Sequence, residues 1–394
     1  MAFVSISEPS RAGARWAPFA LGFRPFFLLA GLAAVVLIAI WAAAFALGAA
    51  MGSYYGFIGW HSHEMLFGYS AAVVAGFLLT AARNWTGVQT VRGPRLALLA
   101  ALWLAARVLA VLPVPPWLNA AVDLAFLPLV MLALLFPVLR ARHYKSLLFV
   151  ALLLALSGAN LLVHLELLGI AATAGAGTYL AVGLILLIIV IMGGRVIPFF
   201  TEKGVDGFQR REWPWLERIA PLSVLLVGGV DAFASPGWLV AVSAALAALI
   251  NGLRLAGWYT HGIWRVPLLW VLHAGYAWLV LGLALKAVAA AGGFGTLLAL
   301  HALTIGAIGG ITLGMMARVS LGHTGRMLEP PAVMAWAFGL LYGAALVRVF
   351  LPLLIDSYVA SVVLAAVFWT VAFALFVFSY ALILLKPRVD GLPG

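Results

Sequence analysis

The sequence predicts an all-α, polytopic membrane protein with twelve transmembrane helices. The first observation is composition: 65% of the 394 residues are hydrophobic, 9% are charged, and the mean hydropathy is +1.14. About a quarter of the residues of a soluble globular protein are charged. The second observation is a series of apolar runs, each long enough for a helix to cross a bilayer, which takes about 20 residues.

The apolar runs place the predicted spans in order along the chain. The first run is too long for a signal-peptide core and is followed by no clear cleavage site, so we expect it to remain as an anchor. We expect a transmembrane domain over 26–385, a cytoplasmic N-terminal segment over 1–25 and a cytoplasmic tail over 386–394. The predicted spans are 26–49, 61–82, 95–112, 116–138, 146–169, 175–200, 214–234, 236–256, 267–290, 295–320, 333–353 and 356–385.

Basic residues indicate the direction of these spans. Connections on one side of the twelve-helix arrangement, such as "MGSYYGFIG", "PVPPW" and "AAGGFG", carry none. Positively charged loops stay in the cytoplasm. We therefore expect a bacterial inner-membrane protein with both termini cytoplasmic, and we interpret the net charge of +11 as a sign of topology, not of nucleic-acid binding. Of the 23 Lys and Arg residues, 20 lie on the other side: Arg11, Arg15, Arg24, Arg83, Arg92, Arg95, Arg140, Arg142, Lys145, Arg195, Lys203, Arg210, Arg211, Arg218, Arg254, Arg265, Arg318, Arg326, Lys386 and Arg388.

Four of the eight histidines share one predicted depth. His61 and His63 begin the second span at the outer face, and His164 and His301 lie near the outer ends of the fifth and tenth spans. Ionisable groups in membrane helices are costly and mark functional sites, and imidazole suits haem iron, copper, zinc or non-haem iron. For His164 or His273 taken singly, a hydrogen bond between helices is an equal alternative. The chain has no cysteine, which excludes disulfides, thiolate metal sites and covalently attached haem.

The motif "HSHE" at 61–64 adds a directional expectation. Positions i and i+2 of a helix differ by about 200°, so His61 and His63 are expected to face opposite ways and to serve two cofactors. Glu64 shares a helix face with His61 and is a candidate acceptor for its second ring N–H or a proton carrier. The alternative is a structural carboxylate at a helix N-terminus.

Arginines end the second, sixth and tenth predicted spans, at Arg83, Arg195 and Arg318. Their spacing of about four helices predicts three four-helix units. They also form part of a candidate polar pocket for an anionic or quinone headgroup, with anchoring at the membrane interface as the alternative. The other candidate residues of that pocket are Asn84, Thr201, His323 and Arg326.

Several long motifs then carry a resemblance to a known family. The chain resembles the NnrS family from about residue 20 to 385, a bacterial family of haem- and copper-containing membrane proteins associated with nitric oxide metabolism and nitrosative stress. The motifs are "LGFRPFFL" (21–28), "WHSHEMLFGY" (60–69), "GFLLTAARNWTG" (76–87), "GGRVIPFFT" (193–201) and "HALTIGAIGGITLGMMARVSLGHTGR" (301–326).

That resemblance implies cofactors and the residues that bind them. It implies haem b, in one or two copies, with copper or non-haem iron as a candidate second metal, and nitric oxide as the small molecule. The motif histidines carried over are His61, His63, His301 and His323, whereas His164 and His273 match less distinctive stretches.

The chain is also similar, more distantly, to haem-copper oxidases and respiratory nitric oxide reductases. Their catalytic subunit has twelve helices in three arcs, which implies a low-spin haem between His301 and one of His61 and His63. This sequence departs from that pattern because its tenth span has one histidine and its sixth and seventh spans have none. The usual second metal site is therefore missing, and the H-x-H motif with His164 is the candidate replacement.

These expectations lead to reduction of nitric oxide as the predicted function: two molecules of nitric oxide, two protons and two electrons give nitrous oxide and water. Electrons are expected from quinol or a protein donor, and Glu64 and Glu166 are expected to pass protons from the outer side. The alternatives are a haem-based nitric oxide sensor or scavenger, and a transporter of haem, copper or a nitrosylated metal complex. The other expected partner is membrane lipid.

Overall fold

The computed structural model describes residues 16–49, 54–211, 213–233 and 237–392, and within these ranges it contains helices and no strands. Residues 1–15 of the predicted N-terminal segment and 393–394 of the tail lie outside the described residues. The main helices are α1 (Phe23–Leu47), α2 (Phe57–Thr86), α3 (Pro94–Leu109), α4 (Pro116–Arg140), α5 (Tyr144–Leu167), α6 (Ala174–Gly204), α7 (Pro214–Ala232), α8 (Gly237–Trp258), α9 (Pro267–Ala290), α10 (Thr296–His323), α11 (Val333–Leu353) and α12 (Tyr358–Leu385).

Ten of these helices in the described ranges are long and apolar enough to cross a membrane. The other two are α3, which has only 16 residues, and α7, which carries Glu217, Arg218 and Asp231. The prediction of an all-α chain with many membrane-spanning helices is confirmed. The count of twelve spans and their grouping into units of four remain predictions.

Helix α2 begins at Phe57, four residues earlier than the predicted start at His61. The preceding Gly56 has a φ of 68°, a left-handed conformation that glycine adopts without steric cost and that separates the helix from the loop. His61 therefore lies one turn inside the helix and not at its N-terminal end.

Both α2 and α10 contain a π-helical segment directly after a histidine. The segment Glu64–Ser70 follows His63, and Ala302–Gly309 follows His301. Such turns are rare in α-helices and frequently occur at functional sites, because they shift the phase of the side chains that follow.

Helices α2, α6 and α10 are the most enclosed of the candidate spans. In their apolar windows 89%, 72% and 67% of the residues are buried, and α6 contacts the π-helical segments of both neighbours. Helix α1 packs against α12, α11 against α12, and α8 against α9. The histidines on α2 and α10 therefore lie inside the bundle.

Aromatic rings pack closely on the glycines of α10. A Cβ atom at Gly306 would lie 2.5 Å from the Trp278 ring of α9, and one at Gly309 would lie 2.6 Å from the Trp369 ring of α12. These glycines allow α10 to sit in the centre, in contact with rings from two sides.

The two ends of the described chain meet at one end of the bundle. The backbone N–H of Ala17 donates to the carbonyl of Leu385 at 2.7 Å. The Arg24 guanidinium, 1% exposed, donates to the carbonyls of Leu384 at 3.0 Å and Lys386 at 2.5 Å. The segments that flank α1 and α12 therefore lie on the same side.

Candidate functional site

A cavity of about 320 Å³ lies between α2 and α10 and contains two of the predicted histidines. His61 of α2 and His301 of α10 both line it. Its other walls include Trp41 of α1, Arg348 of α11 and Trp369 of α12. The volume lies in the range that small-molecule and cofactor sites occupy.

The hydrogen bonds of these two histidines leave ring nitrogens for a ligand. The His301 Nδ1–H donates to the carbonyl of Leu297 at 2.7 Å, so Nε2 keeps its lone pair. The His61 Nδ1 is buried and has no hydrogen-bond partner among the described residues. Its ring stacks on Trp41, with ring centroids 4.2 Å apart. Because a buried polar atom without a partner is costly, a metal ion would relieve this position.

Arg348 brings a buried positive charge to the same cavity. It is 5% exposed, and its Nη2 donates to the Tyr358 hydroxyl at 2.5 Å. Its Nη1 is buried and has no partner within the described part of the chain. A guanidinium with free donors binds carboxylates and phosphates, so this side of the cavity suits an anionic group.

His63 lies in a second, separate group with Asp123 of α4 and His164 of α5. Each residue offers one ligand atom, and these atoms all lie within 4.8 Å of one another. The Asp123 Oδ2 is 3.2 Å from the His63 Nε2 and 3.1 Å from the His164 Nε2. All three residues are buried, and His164 is 0% exposed. We refer to His63, Asp123 and His164 as the His–Asp–His cluster.

Two polar side chains complete this cluster. The Asn160 amide donates to the Asp123 Oδ2 at 2.7 Å, and its Oδ1 lies 3.0 Å from the His63 Nε2. The Tyr54 hydroxyl lies 3.2 Å from the His164 Nδ1. Burial, followed by the Asp123 carboxylate, raises the pKa of Tyr54 to about 12. Its phenol therefore stays protonated at neutral pH, and it either donates to or accepts from His164, depending on the tautomer.

Arg107 of α3 balances the negative charge of the cluster. Its Nη2 donates to the Asp123 Oδ1, and its Nε lies 2.7 Å from the Glu64 Oε2 in an ion pair that lacks hydrogen-bond alignment. The Glu64 Oε1 lies 3.4 Å from the His63 Nδ1. Arg107, Glu64 and Asp123 are 8%, 1% and 4% exposed, and buried charges require such partners.

Glu64 belongs with His63, so the expectation that it accepts from His61 is wrong. The reason is the pairing of charges, because the Glu64 Oε2 lies 2.7 Å from the Arg107 Nε and the Glu64 Oε1 lies 3.4 Å from the His63 Nδ1.

Glu166 and His273 lie in neither group. The exposed Glu166 accepts from the backbone N–H of Ala174 at 2.8 Å and so caps the start of α6. The two ring nitrogens of His273 lie 3.0 Å from the carbonyl of Leu269 and 3.3 Å from that of Trp258. The structure thus places His273 against the backbone and away from the cavity and the His–Asp–His cluster.

Three residues of the predicted inner-face pocket pack against three different rings. The Arg195 guanidinium lies 5.8 Å from the Phe149 ring centroid, the Arg318 guanidinium lies 3.7 Å from that of Phe200, and the His323 ring lies 5.7 Å from that of Phe23. The Thr201 hydroxyl donates within its own helix, and Asn84 is exposed. The Arg326 Nη1 is buried and has no hydrogen-bond partner among the described residues. The headgroup pocket and anchoring at the membrane interface both stay predictions.

Sequence reasoning missed Arg107, Asp123 and Arg348, although each leaves a signal. Arg107 and Arg348 are two of the three basic residues outside the inner-side set. The third, Lys286, pairs with Asp231 at 2.7 Å. Asp123 is the only charged residue of α4 before its last position. Charged side chains inside apolar spans are costly unless they have a partner. Their presence in the sequence therefore indicates buried ion pairs or a site, as the intramembrane histidines do.

Comparison with known proteins gives a family match. A family model described as "NnrS protein" matches residues 17–388, a range that contains the cavity, the His–Asp–His cluster and Arg348. No curated protein matches the chain.

Proposed function

Because the chain belongs to the NnrS family, we propose that it is a haem-dependent inner-membrane protein that reduces nitric oxide. The family is linked to nitric oxide and associated with metal or haem binding. The observation that carries the proposal is the cavity that His61 and His301 line together.

The residues of this cavity fit a haem in three respects. Two histidines come from different helices, and each has a ring nitrogen without a protein partner among the bonds described above. The walls include the flat rings of Trp41 and Trp369, and Arg348 supplies a free guanidinium nitrogen for a propionate. Bound haem would supply an iron centre for electron transfer or for binding a small ligand.

The His–Asp–His cluster is our candidate for the second metal. Two histidines and one carboxylate suit non-haem iron, and imidazole also suits copper. Glu64 lies at the His63 Nδ1, and Tyr54 lies at the His164 Nδ1. Partners at the second ring nitrogen commonly fix the orientation of a metal-binding histidine. Arg107 would hold the Asp123 oxygen that faces away from the two histidines.

Reduction of two nitric oxide molecules to nitrous oxide and water requires two protons and two electrons. We assign the proton-holding role to Glu64, which is 1% exposed and lies against His63 and Arg107. Glu166 is a weaker candidate because it is exposed and caps a helix. Quinol or a protein partner remains our proposed electron donor.

A non-catalytic haem-based sensor or scavenger is the second candidate. The observation that favours it is that Asp123 already has four protein partners, Arg107, Asn160, His63 and His164, within hydrogen-bond distance. A carboxylate satisfied in this way also serves as a purely structural link between α2, α3, α4 and α5.

We also propose that α3 and α7 cross the membrane, which gives twelve spans with both termini in the cytoplasm. The two ends of the described chain meet at one end of the bundle, as an even number of spans requires. The 20 basic residues on that side support the cytoplasmic orientation.

Turnover and metal content of the purified protein test this proposal. We expect haem and a second metal, and nitrous oxide formed from nitric oxide with a quinol donor. His63→Ala should abolish nitrous oxide formation while haem is retained, whereas the matched variant His273→Ala should behave like the wild type. Nitric oxide binding to haem without nitrous oxide would instead favour the sensor or scavenger, and protein without haem would overturn both.

A further inference from the structure

A second, smaller cavity of about 60 Å³ lies next to the first, further along α2, α6 and α10. Five helices line it, with Phe27 of α1, Val74 of α2, Ile188 of α6, Leu272 of α9 and Ile311 of α10 as representatives. Neither the haem fit nor the His–Asp–His cluster uses this space.

The lining of the small cavity is unsuited to water. Its two hydroxyl side chains are already bonded within the protein: Ser70 donates to the carbonyl of Met65 at 2.8 Å, and Thr312 donates to that of Ile308 at 2.6 Å. The Thr312 hydroxyl also lies 2.6 Å from that of Tyr69. A buried water needs two to four polar partners, and apolar cavities without them stay dry and bind apolar guests.

The volume of the small cavity limits the class of molecule that it can bind. A cavity of this volume holds small molecules of one to a few atoms but not a quinone ring or a haem. An engineered apolar cavity of about 150 Å³ in another protein takes up xenon. A diatomic, weakly polar gas such as nitric oxide, carbon monoxide or oxygen has the matching size and chemistry.

The small cavity adjoins the large one. Ser70 lines both, and it is the last residue of the π-helical segment that follows His63. It lies nine residues after His61 on α2, so the two cavities share a wall at this small side chain. A gas molecule that leaves the small cavity past Ser70 would enter the space that His61 and His301 line.

We propose that the small cavity is a binding site for a small apolar gas, which it passes to the His61–His301 cavity. The identity of that gas as nitric oxide rests on the proposed function, but gas binding itself does not.

Xenon-pressurised crystals of the full chain test the binding step. We expect an anomalous xenon peak among Val74, Ile188 and Ile311 in the wild type. Val74→Phe and, independently, Ile188→Phe should remove that peak by filling the space. The matched control is Val36→Phe, since Val36 is 47% exposed on α1 and should leave the peak in place. A wild-type cavity without xenon, or one that holds water, a lipid chain or a quinone tail, would overturn the proposal.

Flash photolysis of carbon monoxide tests the passage between cavities in the His61→Gly background, where the reduced haem would have an iron position open for carbon monoxide. The share of carbon monoxide that rebinds before escape should change in Val74→Phe and Ile188→Phe and stay the same in Val36→Phe. An unchanged share in both filled variants would overturn the passage. If the protein proves to lack haem, the proposed function fails, and the xenon peak alone still decides whether the gas site exists.

Discussion

Asp123→Asn is the perturbation that best tests the charge balance of the His–Asp–His cluster. Asp123 and Arg107 are 4% and 8% exposed and are bonded directly to each other. Removing one partner of a buried ion pair costs about 3–5 kcal/mol. Arg107 keeps Glu64 at 2.7 Å in the variant, so we expect about 3 kcal/mol, roughly a hundredfold in the unfolding equilibrium. Asparagine has nearly the same shape as aspartate, so the substitution leaves no cavity that would add to the loss of stability.

The assay is the free energy of unfolding in detergent, together with the metal content of the purified protein. The matched control is Asp231→Asn, whose partner Lys286 lies at 2.7 Å but whose side chains are 14% and 20% exposed. That pair is more exposed than the pair of Asp123 and Arg107, so the loss of its charge should cost less. The Asp123 variant should also lose the second metal while it keeps haem. Equal stability of the two variants, with the second metal retained, would refute the assigned role of Asp123.

Three further predictions concern other parts of the molecule. Arg348→Gln should weaken haem retention because it removes the free guanidinium donor of the cavity, whereas Arg348→Lys should restore part of that retention. The measurement is haem content after dialysis, and equal retention in both variants would count against a propionate contact. Glu166→Ala should leave nitrous oxide formation unchanged and lower the unfolding free energy by about 1 kcal/mol, because the hydrogen bond to the Ala174 N–H is lost. Loss of turnover in this variant would instead indicate a catalytic role for Glu166. Reporter fusions after residues 56 and 173 should report the periplasm, and those after 206 and 390 the cytoplasm; one reversed signal would break the twelve-span topology.

The helices were predictable because their signal is local. Each apolar run continues until charges or glycines end it, so the predicted spans agree with the helices to within a few residues. Helices α2 and α6 differ most: α2 runs from Phe57 to Thr86 against a predicted 61–82, and α6 ends at Gly204 against a predicted 200. At the start of α2, Phe57 to Trp60 continue the apolar character, but the histidine motif suggested a boundary at His61. Whether α3 and α7 cross a membrane depends on surroundings that helix length and charge do not specify.

The candidate site was predictable in its ligand types and only partly in its grouping. A spacing of two residues on a helix separates the faces of His61 and His63, and the structure places them in different groups. The partners of His63 could not be derived in this way, since Asp123 and Arg107 come from helices whose contacts with α2 depend on packing. The position of Glu64 beside His63 depends on the same packing, because Arg107 of α3 pairs with the Glu64 carboxylate.

The most direct test of the central claim, that His61 and His301 hold one haem, is the low-spin haem spectrum of matched variants. His61→Gly, His301→Gly and His63→Gly should be purified side by side and recorded by optical and electron paramagnetic resonance spectroscopy, with and without added imidazole. The account predicts that the first two variants lose the low-spin signal and regain it with imidazole, while His63→Gly keeps it throughout. An unaltered haem spectrum in His301→Gly would contradict the account.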